Sequence, residues 1–217
     1  MEKTKVISFI GLEREDIPYY LMKGLTEKGK NVLMVDNTTE LKLYNCMPKL
    51  DENTESVERD HMILITNRKF SEDCYEKFDV VIVMHGLEPD EEILEHSDMV
   101  VFVTSFMYTD LLKLQRHMDA AEVLAKAPKK SRISYLYIDK ASGKISENTI
   151  RKMLGLAQVP DEYTIPVNEN DVAMRHNLQY NGDQGLKGLS SEMRDFVKMM
   201  IVEMEKKKKK QDDDEEE

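Results

Sequence analysis

Short apolar runs rich in β-branched residues recur along this chain, and each is followed by a stretch with helical spacing. The runs are VISFI (6–10), NVLMVD (31–36), HMILITN (61–67), DVVIVMHG (79–86), MVVFVTS (99–105), RISYLYID (132–139) and EYTIPV (162–167). The one at 79–86 is the clearest, with five consecutive apolar residues from Val80 to Met84. Strands that are apolar throughout, rather than at every second residue, are covered on both faces. The helical stretches between them supply that cover. The expected fold class is α/β: a three-layer domain with a mainly parallel central sheet.

The first strand–helix–strand unit, Val6 to Asp36, sets the pattern. Asp16 is a plausible N-cap; Ile17, Leu21, Gly24 and Leu25 follow at helical spacing, and Gly29 stands where a helix ends. LKLYNCMPKL predicts a short helix broken near Pro48, and RKFSEDCYEKF a short crossover helix. EPDEEILEHSD predicts a helix opening at Pro89 with acids in its first turn. Tyr108 to Leu124 reads as one helix, with Leu111, Leu114, Met118, Ala121 and Leu124 on a stripe. Ser146 and Gly155 bracket a helix in ISENTIRKMLG, and two more are expected at Asn168–Asn177 and Leu189–Lys206. At 217 residues, with no internal repeat, one domain over 1–205 is expected, followed by a charged, solvated tail at 206–217.

Composition removes several function classes. The net charge of −11 argues against nucleic acid as a partner. No apolar run reaches the ~18 to 20 residues that span a bilayer, and the N-terminus does not read as a signal peptide. Cys46 and Cys74 stand in no ligand spacing, which fits reduced thiols and a cytoplasmic setting. His61, His96, His117 and His176 share no ligand spacing, so no metal site is expected. His85, after the central strand, is expected in a turn or at the surface. The last helix carries Leu189, Met193, Phe196, Val197, Met200, Ile201 and Met204 on one side. A stripe closing an α/β domain is expected to be core, with peripheral membrane contact the weaker alternative, since DDDEEE opposes the preceding lysines. Among the 15 methionines, Met107, Met199 and Met200 are expected to face partly outward.

Several phrases resemble the ParA/MinD group of P-loop ATPases over residues 5–204. EKGKNVLMVD is similar to that family's entry into its second strand. FDVVIVMHGLEPDEEILEHSDMVVFVTS is similar to its central strand, switch loop and next strand. ISYLYIDKASGKISENTIRKMLG and YTIPVNENDVAMRHNLQYNG resemble its later strand–helix and adenine-side loop. The resemblance implies P-loop NTPase topology. The signature loop itself is missing. Where the family has a glycine-rich loop with lysines and threonines, this chain has GLERED, with one glycine (Gly11), and it is shorter. The alignment puts the family's lysine near Arg14 and its Mg²⁺-ligating threonine near Glu15. The aspartate that ends the family's central strand falls on Met84, and its other acid on Asp36.

Few glycines leave the backbone unable to wrap a phosphate chain. Glu13, Glu15 and Asp16 add charge of the wrong sign. One unit charge at ~4 Å and an effective dielectric near 20 is worth roughly 4 kcal/mol, or about a thousandfold in affinity. The expected function is that of a non-catalytic, ParA/MinD-like pseudo-ATPase. It would act as a cytoplasmic scaffold or positioning protein for a pilus, secretion or partition-type assembly, closest in character to the bacterial TadZ/CpaE proteins. It would have no catalytic residue and no cofactor. The resemblance implies a homodimer across the former nucleotide face, with Glu13, Arg14, Glu15 and Asp16 as reciprocal contacts. The rival expectation is an ATP/Mg²⁺-dependent switch with an atypical loop, although Lys23 and Thr26 stand too far along the first helix to serve it. A phospho-acceptor receiver domain, using Thr104, Ser105 and Lys140, lacks its acceptor at Met84.

Overall fold

The computed structural model describes residues 3–47, 56–59, 61–66, 71–181 and 185–205. The charged tail at 206–217, Pro48 and residues 182–184 lie outside them. The chain runs β1 (Lys5–Gly11), α1 (Asp16–Thr26), β2 (Val32–Asp36), α2 (Lys42–Cys46), β3 (Ser56–Arg59), β4 (Met62–Thr66), α3 (Glu72–Tyr75), β5 (Val80–Gly86) and α4 (Glu91–Glu95). It continues β6 (Met99–Ser105), α5 (Tyr108–His117), α6 (Ala120–Ala125), β7 (Arg132–Lys140), α7 (Glu147–Met153), β8 (Asp161–Pro166), α8 (Glu169–Asn181) and α9 (Ser191–Glu205). The strands form one sheet in the order β3-β4-β2-β5-β1-β6-β7-β8. Every pairing is parallel except β3 with β4.

The pleat sends alternate residues to opposite helical layers. Ile7, Phe9, Met34, Ile82 and Val101 face the layer that contains α1 and α9. On the other face, Ile10, Phe102 and Tyr135 meet α5, α6 and α7, while Val35, Val81 and Val83 meet α3 and α4. All residues of β5 and β6 are buried, as continuous apolar runs require. Helices α1 and α9 approach closely at Gly24, where a Cβ would lie 2.8 Å from Ile201 Cδ1 and 3.0 Å from Val197 Cγ1. The stripe on α9 is thereby core: Met193, Phe196, Val197, Met200 and Ile201 are buried.

Several local expectations are corrected. Asp16 is the first residue of α1, not its cap; Glu15 precedes it and makes no side-chain cap bond. The helix expected over 108–124 is two, because Met118 is extended and the Asp119 carboxylate caps a fresh start by accepting from Glu122 N at 3.0 Å. Strand β3 was not anticipated; of its residues Val57 is buried. Met200 is fully buried rather than outward, whereas Met107 is exposed. Ser146 and Gly155 take the roles read for them: Ser146 Oγ accepts from Thr149 N, and Gly155 has φ +66°.

Candidate functional site

In open α/β sheets the ligand edge is the carboxyl end of the strands, near the point where connections leave in opposite directions. Here that point is β1: its own helix leads to β2 on one side, and the β5–β6 connection crosses to the other. The loop Gly11–Glu15 therefore occupies the position that decides binding. Gly11 has φ +97°, and a Cβ there would lie 2.4 Å from Val103 O. Leu12 N donates to the same carbonyl at 3.0 Å. The loop is thus pressed against β6 as it leaves the sheet.

Each charged side chain that follows is held by a different part of the molecule. Glu13 lies against Gly86, whose added Cβ would sit 2.8 Å from Glu13 Oε1, and it pairs with Lys42 of α2 at 3.4 Å. Arg14 donates from Nε and Nη2 to the two oxygens of Asp16 at 3.0 and 3.1 Å, and from Nη1 to Asp139 of β7 at 2.8 Å. Asp139 accepts from a left-handed backbone position, φ +56°. Glu15 is 3% exposed and accepts from Gln179 Nε2 of α8 at 2.7 Å. Asp16 is fully buried. Burial alone would pull the Arg14 guanidinium down, but Asp16 and then Asp139 outweigh it and hold it above its ordinary value.

A helix start normally offers free N–H groups to anions. At α1 two of these are withdrawn: Ile17 N donates to Arg14 O at 3.3 Å, and Pro18 has no N–H. The charged side chains of the loop are likewise taken up by partners within the fold. Chemically it is an internal tie between α1, α2, β7 and α8.

The other two alignment positions are structural in their surroundings. Asp36 is fully buried; Oδ1 accepts from Thr38 N at 3.1 Å and Thr38 Oγ1 at 2.6 Å, and Oδ2 from Tyr44 N at 3.1 Å. It caps the turn into α2. Met84 is 3% exposed and packs in the core on the α1 side.

His85, expected at the surface, is instead 1% exposed. Its Nδ1 accepts from Asp90 N at 3.1 Å, so the proton is on Nε2, which lies 3.0 Å from Ser8 Oγ. Ser8 Oγ lies 2.7 Å from Ser97 Oγ, and Ser97 Oγ donates to Ile93 O at 3.0 Å. Burial pushes the His85 imidazole down to about 4, with Asp90 opposing. The signal for this chain of bonds was available: a histidine continuing a wholly buried strand must find polar partners inside.

The receiver-type residues are not assembled into a site. Ser105 Oγ donates to Asp110 at 2.6 Å and accepts from Met107 N, while Lys140 pairs with Glu147 at 2.6 Å and lies over the Phe106 ring. Among the described residues no group of three or more His, Cys, Asp or Glu side chains is placed to hold a metal ion. Nor is any described helix long and apolar enough to cross a membrane.

The architecture has clear counterparts. A ParA family ATPase from Chlorobium tepidum TLS is similar with a TM-score of 0.61 over 91% of this chain and 98% of that one, at 16% identity. A chain of the MinC:MinD cell division protein complex of Aquifex aeolicus gives 0.63 over 91% and 96%, at 13% identity. A putative plasmid partition protein of Borrelia burgdorferi B31, solved bound to AMPPNP, gives 0.56 over 93% and 99%, at 12% identity. The fold is that of the ParA and MinD ATPases, and at these identities the likeness is one of fold alone. No protein-family model and no curated protein matches the sequence.

Proposed function

We propose that this chain is a ParA/MinD-like pseudo-ATPase, a bacterial cytoplasmic scaffold or positioning protein that binds no nucleoside triphosphate and works through protein partners. The observation that carries the reading is the state of the β1–α1 loop. Its four charged side chains are each committed to a partner within the fold, at 2.7 to 3.4 Å. Releasing them would expose three carboxylates and one guanidinium to a polyanion. The Mg²⁺-side position, Met84, offers no oxygen.

On this reading the chain is a localisation protein of the TadZ/CpaE type, and a pilus or secretion assembly is the partner class proposed. A homodimer across the same sheet edge belongs to the proposal. Inside one copy, Glu13 and Arg14 have side chains 9% and 11% exposed. Reciprocal ion pairs across a two-fold axis would therefore have to exchange these internal partners between copies. Light scattering on Glu13→Lys/Arg14→Glu tests this, and an unchanged mass rejects it.

Isothermal titration with ATP and ADP, each with and without Mg²⁺, tests the central claim. No heat at millimolar nucleotide is expected. Micromolar, Mg²⁺-dependent binding would overturn the reading and establish a nucleotide switch.

A further inference from the structure

The segment after His85 and Gly86 forms one wall of a groove that the loop chemistry does not use. The opposite wall is the break between α5 and α6, where the chain turns at Met118 and Asp119. The groove encloses about 250 Å³, below the roughly 300–1,000 Å³ of small-ligand pockets. That volume suits the side chains of a docking peptide better than a cofactor. Its floor is apolar: Leu94 and Met118 are buried, and Leu87 and Val123 are half-buried. Its rim is acidic, with Glu88, Glu91, Asp119 and Glu122 set against one lysine, Lys126.

The rim already holds an ammonium. Lys126 reaches from α6 across the groove to Glu91 of α4 at 2.5 Å, and lies 3.8 Å from Glu122. Four carboxylates around one ammonium leave a net negative mouth over an apolar floor. The geometry points to a docking site for an amphipathic segment of a partner protein, one that presents apolar side chains beside Lys or Arg. The apolar side chains fill the floor, and the cations take the carboxylates that Lys126 leaves over, as in helix-in-groove recognition. The same sign repels nucleic acid and anionic lipid. The occupant would touch the Leu87–Asp90 segment, two residues beyond His85 and next to the Gly86 that supports Glu13.

The test uses the full chain and two fluorescein-labelled synthetic peptides of equal charge. One carries leucines and lysines on opposite helical faces; the other has serine in place of each leucine. The leucine peptide is expected to bind at least tenfold more tightly than the serine peptide by fluorescence anisotropy. Glu88→Lys/Glu122→Lys should weaken it at least tenfold, and Val123→Asp should weaken it as well. Glu192→Lys/Asp195→Lys, on the exposed face of α9, should change it less than twofold. Equal affinity of the two peptides, equal weakening by both charge reversals, or no binding of the leucine peptide would each overturn the assignment. All arms are nucleotide-free, so the result is independent of the titration that tests the pseudo-ATPase reading.

Discussion

The loops that leave β1 and β5 lie side by side, since Phe9 pairs with Met84 and Ile10 with Gly86, yet opposite chemistry fixes them. The β1 loop is tied by charge: Glu13 to Lys42, Arg14 to two aspartates, Glu15 to Gln179. The β5 loop is tied by a neutral chain of hydrogen bonds from Asp90 N through His85, Ser8 and Ser97 to Ile93 O. Both solve the same problem, polar groups enclosed beside a buried sheet; the charged tie sits at its carboxyl edge and the neutral one runs from that edge back along β1 to Ser97. Charged ties are strong only while every partner is present. Neutral ties depend on one imidazole staying unprotonated.

The comparison breaks most sharply at Arg14. Arg14→Ala leaves Asp16 fully buried beside an unpaired Asp139, and should cost about 3–5 kcal/mol in urea unfolding. A loss below ~1 kcal/mol would mean that the charged tie is ornamental. The neutral tie should instead fail in acid. The folded His85 stays neutral down to about 4, while an unfolded imidazole takes a proton near 6.5. Between those values the unfolded chain holds more protons, so stability falls as pH drops from about 6.5 to 4 and levels off below. The gap corresponds to about 3 kcal/mol. In His85→Gln that portion of the pH dependence should vanish, and its persistence would assign the slope elsewhere.

Ser97→Ala sharpens the contrast at smaller scale. It leaves the enclosed Ser8 O–H without its acceptor, with His85 as its remaining partner, and should cost roughly 1–3 kcal/mol, with urea unfolding as the readout. Salt is expected to act least. Raising NaCl from 0.1 to 1 M shortens the screening length from about 10 to 3 Å, but the Arg14–Asp16 pair is enclosed. The unfolding free energy should change by less than about 0.5 kcal/mol, and a larger drop would place that pair in solvent.

The sheet was legible because runs such as VVIVM and MVVFV are short, rich in β-branched residues and bounded by polar residues, as strands covered on both faces are. The composition of the β1–α1 loop was legible too: one glycine, one arginine and three acids stand in GLERED. Where those side chains point was not. Arg14 and Asp139 are 125 positions apart, and Glu15 and Gln179 are 164 apart. No local pattern encodes such a pairing; only the assembled sheet brings them together. The break at Met118 was hidden because methionine continued the apolar stripe, although Asp119 with Glu122 offered a capping signal. Strand β3 was hidden for the converse reason: SVER is polar apart from Val57, as an outer strand can be.

The way Pro18 and the four committed charges share the start of α1 has a consequence for redesign. Replacing Arg14 with lysine would not by itself make a phosphate site, because the acids on either side and the proline, which has no N–H, would remain. Adding glycines first would release Glu13, Arg14 and Glu15 from partners on three other elements, and lower stability before any ligand could compensate. Building such a site would need several changes at once. A loop in this condition acts as a strut: its charges hold α1, α2, β7 and α8 together, so the outer surfaces can change at far lower cost than the loop.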